Sequence, residues 1–291
     1  MINIIINVSF FFSQWWTGSN KTPNRPHLLL LESAFDVLLE GFTLLNPAAW
    51  TASLGGARYR IKDVKIQSPE YSIAPNTDGL DIHAIDVHVS GCHIHNGDDS
   101  ICIKSPAHNV LVENCTVSQG NGLVVGTSDN VNISNITFRN CTAENTLFGC
   151  HIKFKDHQIG VCQGITFEDI YIDHPKLYAI GINQNGQGDK SDESDESGEY
   201  DEYGEYGNNN VSSSVRISNI TFKGIRGKGG LVGGSFTCNS GDLSCYNITM
   251  IDVMLDTMLA GCHFQNVFGY GENVTPVSCI PPAEGTRFAQ T

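Results

Sequence analysis

A chain of 291 residues has the length for one large domain, and 30 glycines with only 16% charged residues suit a turn-rich β-structure better than a helical bundle. The net charge of −14 argues against nucleic acid as a partner. No run of 18 apolar residues marks a membrane span, so no membrane partner is expected.

The first twelve residues, MINIIINVSFFF, are apolar. They lack a basic leader and a small-residue cleavage site, so the expectation is a chain that starts inside a larger fold. The first recognisable repeat, DVLLEGFTLLN, spans 36–46. It is followed by YRIKDVKIQSP (59–69), DVHVSGCHIHN (86–96), NVLVENCTVSQ (109–119) and NVNISNITFRNCT (130–142). QGITFEDIYID (163–173), VRISNITFKGI (215–225) and YNITMIDVMLD (246–256) complete the series. Alternation at period two marks strands, and the Asn, Gly and Asp breaks mark turns. Starts recur at a solenoid period with no room for crossover helices, so the pattern predicts a parallel β-helix. A leucine-rich repeat is set aside because its leucine consensus is missing.

This divides the chain into residues 1–34, an incomplete N-terminal part of the solenoid, and 35–291, a single β-helix domain. The segment 186–210 interrupts that domain as an acidic low-complexity insertion, expected to be solvated and dispensable for folding. Between Asp189 and Glu205 it holds nine acids against one base, which accounts for most of the net charge. Ten cysteines and several Asn-X-Ser/Thr sequons, among them Asn114, Asn135, Asn219 and Asn247, predict an oxidising, secreted setting. Asn-Ile-Thr is also simply what a β-coil turn looks like.

Four short signatures stand one coil apart: Asn76-Thr77-Asp78-Gly79, Gly97-Asp98-Asp99, Gly120-Asn121-Gly122 and His151-Ile152-Lys153. Asp78 precedes Asp98 by 20 positions, and Asp99 precedes Asn121 by 22. Stacked coils then bring these carboxylates to one face, roughly 5 Å apart per layer. Singly, each Asp reads as a turn cap. Together, three acids on one face can divide the acid and base roles of glycoside hydrolysis. An inverting pair calls for roughly 6.5–9.5 Å between carboxyls, to admit a water.

These residues resemble glycoside hydrolase family 28, the polygalacturonases and related pectin-cleaving enzymes. The resemblance runs from about Trp15 to Cys279 and is strongest in PNTDGLDI (75–82), NGDDSICIKS (96–105), QGNGLVVG (119–126) and CHIK (150–153). It implies an all-β, right-handed parallel β-helix and inverting hydrolysis of α-1,4-galacturonosyl linkages in pectic polysaccharide. It further implies that Asp98 is the general acid and that Asp78 and Asp99 activate the water. Asn76, Asn121, His151 and Lys153 fall at substrate-contacting positions. Cys238–Cys245 and Cys262–Cys279 match disulfides the family uses.

The chain departs from the family at three of these positions. Asn121 replaces a histidine, His151 replaces an arginine, and the family's later tyrosine falls at or near Gly186. His151 would carry charge only near or below pH 6.5, which predicts oligogalacturonate binding that strengthens as pH falls. The alternatives are a rhamnogalacturonan or xylogalacturonan hydrolase, or a catalytically impaired pectin-binding homologue. A lyase on the same fold is set aside because the acids are paired and a calcium signature is missing.

Pairing among Cys92, Cys102, Cys115, Cys141, Cys150 and Cys162 stays open, with inward-facing free thiols as one possibility. His83, His88, His93 and His95 scatter over strand faces, and the Asp78 segment lacks the closing Glu of a calcium loop, so neither a metal nor another cofactor is expected. A monomer is expected.

Overall fold

The computed structural model describes residues 4–7, 25–69, 72–126, 128–184 and 213–283. The acidic insertion, Gly186, Trp15 and most of the first 34 residues lie outside them. The 23 described strands all pair in parallel with strands one coil away, and the only helical pieces among the described residues are the 3₁₀ turns Gly241–Leu243 and Val277–Cys279. The molecule is an all-β parallel β-helix.

Each coil contributes to three ladders. The long ladder stacks Leu29–Glu40, Ala52–Lys62, Leu80–Ser90, Ala107–Glu113, Asn130–Arg139, Ile159–Glu168, Ser214–Lys223, Cys245–Asp256 and Val267–Thr275. A second ladder is built from short strands such as Lys65–Gln67, His93–His95, Thr116–Ser118 and Thr142–Glu144. The third runs through residues 80–82 of Leu80–Ser90, then Ile101–Ile103, Leu123–Gly126, Phe148–Lys153, Tyr178–Asn183, Val232–Thr237 and Leu259–Gln265. Leu29–Glu40 already pairs with Ala52–Lys62, so the ordered coils include residues ahead of Phe35.

In-register stacking places like on like. Val112, Phe138, Phe167 and Phe222 occupy one inward row. Phe167 stacks on Phe138 and Phe222 at 5.0 and 5.3 Å between ring centroids, nearly coplanar. The turns between the long and short strands are equally regular. Asn114 and Asn140 sit in these turns, and Asn135, Asn219, Asn247 and Asn273 mark bends within long strands; all six adopt left-handed φ of 50–57°, a conformation asparagine tolerates better than most residues. Their amides form ladders from coil to coil, with Asn140 donating to Asn114, Asn135 to Asn109 and Asn247 to Asn219. The sequon asparagines are thus first of all turn and bend residues.

Cys238–Cys245 and Cys262–Cys279 are disulfide-bonded. The six central cysteines are free and buried, which resolves the open pairing in favour of inward thiols.

Candidate active site

The turns joining the second ladder to the third carry the acidic signatures, and their tight stacking is built by backbone. Asn96, fully buried ahead of Gly97, donates its amide to the carbonyls of Thr77, Asp98 and Asp99 and accepts from the Ser100 hydroxyl. Thr77 Oγ1 accepts from the Gly97 N–H. Two coils are thereby tied together at the point where their carboxylates emerge. A Cβ on Gly79 would lie 2.3 Å from the Ser100 carbonyl oxygen, and one on Gly120 2.2 Å from that of Asp98, so neither position admits a side chain.

Asp78, Asp98 and Asp99 offer oxygens that all lie within 4.8 Å of one another, and all three residues are buried. This matches the roughly 5 Å per layer expected of stacked coils. The cause is the coil rise, since neighbouring layers are separated by one strand spacing. By distance alone the trio could take a cation, but two lysines already supply positive charge, and we assign no metal.

Asp99 is pinned. Its Oδ1 lies 3.0 Å from Lys153 Nζ and accepts from Asn121 Nδ2 at 3.0 Å. The same Asn121 amide reaches Asp98 Oδ1 at 3.0 Å, and that oxygen also accepts the Asp99 N–H at 2.7 Å. Burial works to raise the Asp99 pKa, but the Lys153 and Lys104 cations with the Asn121 amide bring it down to about 2. Asp78 goes the other way. Burial first, then repulsion from Asp98 and Asp81, push it well above the usual carboxylate range, against the pull of Lys104. Burial and the neighbouring acids thus favour the protonated form of Asp78, while the Lys153 and Lys104 cations favour the ionised form of Asp99.

His151 does not behave as its position suggested. It is only 2% exposed, its Nε2 is 3.1 Å from the Tyr178 hydroxyl, and its ring sits 4.3 Å from that of Phe148. Burial, then the Lys153 cation, lower its pKa to about 3, against the attraction of Asp99. Burial and the neighbouring Lys153 cation disfavour its charged form over the range in which it was expected to titrate, which speaks against a gain in uronate affinity at falling pH. The Asn76 side-chain oxygen accepts from Arg25 at 2.8 Å. The scattered histidines do separate, with His83 on Ser53, His88 on Glu113 and His95 on Ser118.

Sequence reading missed four contributors. Asn96 had its place before Gly-Asp-Asp as a signal. Asp81, fully buried, and Lys104, 3.0 Å from it, lie within the quoted motifs PNTDGLDI and NGDDSICIKS but attracted no attention. Tyr178 had no signal, because only the coil register brings it to His151.

The family model for "Glycosyl hydrolases family 28" matches residues 11–268. An endopolygalacturonase of Emericella nidulans is 28% identical over 252 residues, covering 83% of this chain and 62% of its own. The chain thus spans less than two thirds of that relative's length. Among solved structures, endopolygalacturonase I of Stereum purpureum, complexed with two galacturonates, superposes with a TM-score of 0.65 at 20% identity, covering 84% of this chain and 69% of its own. An endo-xylogalacturonan hydrolase of Aspergillus tubingensis gives a TM-score of 0.62 at 18% identity, covering 88% and 68%. At these identities the two structures speak for the fold.

Proposed function

The chain belongs to glycosyl hydrolases family 28, and we propose that it is a glycosidase that cleaves α-1,4-galacturonosyl linkages of pectic polysaccharide with inversion. The observation that carries this reading is the buried trio Asp78, Asp98 and Asp99, whose oxygens lie within 4.8 Å of one another, with Asp99 paired to Lys153. Asp98 protonates the departing glycosidic oxygen. A water held against Asp78 and Asp99 gives one proton to an ionised carboxylate of the two as it attacks the anomeric carbon from the opposite face. Lys153 and Asn121 orient Asp99, and Lys153 faces the substrate's carboxylate. His151 contributes a neutral ring.

The resemblance supports inversion over retention. Proton NMR of the first-formed anomer decides between the two: release of the β-anomer from an α-linked oligogalacturonate is expected, and release of the α-anomer would refute the mechanism. Absence of new reducing ends from any pectic substrate, with oligosaccharide binding intact, would identify a binding protein instead.

One observation favours a second reading. With His151 neutral and buried, the cleft lacks the fixed guanidinium that the resemblance led us to look for. A substrate with fewer charges, such as the alternating backbone of a rhamnogalacturonan, suits that cleft, and a xylose-branched galacturonan is the other alternative. Cleavage of defined oligosaccharides of each type separates these from homogalacturonan. Secretion belongs to the same reading, supported by the two disulfides. No helix among the described residues is long and apolar enough to cross a membrane.

A further inference from the structure

Beside the trio lies a second buried charge cluster. Lys104 follows the Gly-Asp-Asp turn by one short strand, and its backbone N–H is held by the Ile82 carbonyl at 2.8 Å. Its side chain, 12% exposed, runs over the Trp50 ring with the ammonium 3.7 Å from the ring centroid. The His27 ring also stacks on Trp50, with centroids 5.1 Å apart. Held in this way, Nζ stands 3.0 Å from Asp81 Oδ1 and 3.8 Å from Asp78 Oδ2. The other oxygens, Asp78 Oδ1 and Asp81 Oδ2, are buried and have no hydrogen-bond partner.

We propose that Lys104 is a positioning residue that sets the ionisation of Asp78, its charge divided between Asp78 and the non-reacting carboxylate Asp81. The role of Asp78 in water activation is the reading given above, and this inference rests on it for its consequence in turnover. The groups facing Asp78 are Asp98, Asp81, Asp99 and Lys104, so Lys104 supplies the cation among three acids. Lys104 itself faces Asp81, Asp78, Cys102 and Asp99, with His27 and His83 near Asp81 and Lys104 on the other side. The ammonium sits nearer Asp81 than Asp78. Asp81 therefore holds the cation in place while its own negative charge opposes ionisation of Asp78. An acid 3–4 Å from a cation gains its charge more readily, and one facing only other acids keeps its proton.

The two partners of the lysine give opposite expectations. In Lys104→Met, Asp78 should retain its proton to higher pH, moving the acid limb of kcat/KM upward by about one pH unit or more. In Asp81→Asn, the repulsion from Asp81 is gone while the cation stays beside Asp78, so the limb should move downward. Lys104→Arg keeps the charge and should leave the limb near its wild-type place. Carbon-13 NMR of the aspartate carboxyls, with Asp78 assigned through Asp78→Asn, reads the same ionisation without turnover. A carboxyl titration that moves as described while the acid limb stays fixed would uphold control by Lys104 and remove Asp78 from water activation. Titration of Asp78 unchanged in both Lys104→Met and Asp81→Asn would overturn the proposal and leave Lys104 as structural neutralisation of Asp81. Should Lys104→Met fail to fold, Asp81→Asn and Lys104→Arg carry the test.

Discussion

Lys153→Met isolates the ion pair that holds Asp99, and its effect can be worked out from the structure. Asp99 is buried and its pKa stands at about 2 instead of 3.8, a depression of about 1.8 units. At 1.36 kcal/mol per unit this is about 2.4 kcal/mol of stability. Because the folded pKa is the lower one, that contribution is fully present above the unfolded pKa near 4 and is lost as pH falls toward 2. Replacing Lys153, whose ammonium is 3.0 Å from Asp99 Oδ1, removes the main cation and leaves the burial. A buried carboxylate stripped of its partner costs about 3–5 kcal/mol, so the loss near neutral pH should fall in that range. With the cation gone, the Asp99 pKa moves above its ordinary value, and the protonated carboxyl then needs no partner. The cost of the substitution should therefore shrink as pH drops from about 7 to about 4.5. Urea denaturation of wild type and variant at both pH values, with m unchanged, measures it. A loss under 1 kcal/mol at neutral pH, or the same loss at both values, would refute the argument that Lys153 compensates a buried charge.

Asp98→Asn should lower turnover by about 10²–10⁴ while leaving the melting temperature close to wild type, since it deletes the proposed proton donor without unpacking the turn; reducing-sugar release and a thermal melt check both. With the His151 pKa at about 3, oligogalacturonate affinity should show no contribution from His151 between about pH 7.5 and 5.5, and His151→Gln should leave the pH dependence in isothermal titration as it was. Phe167→Ala opens the middle of the stacked row between Phe138 and Phe222 and should cost about 3–5 kcal/mol in denaturant unfolding.

Periodicity made the solenoid legible without any coordinates. Strand alternation, left-handed asparagines at turns and bends and acids at coil intervals are all one-dimensional signals, because each coil repeats the same local solution. The same stacking explains why Asp78, Asp98 and Asp99 could be placed on one face from their numbers alone. What could not be read were properties that depend on burial and on contacts between coils. Whether His151 titrates is decided by the Phe148 and Tyr178 rings packed on it, and the sequence shows only an imidazole two residues before a lysine. Asp81 and Lys104 become a pair only when the third ladder brings residues 80–82 beside Ile101–Ile103. Charge and hydrogen-bond partners at this site are fixed in the direction perpendicular to the chain, which sequence order does not describe.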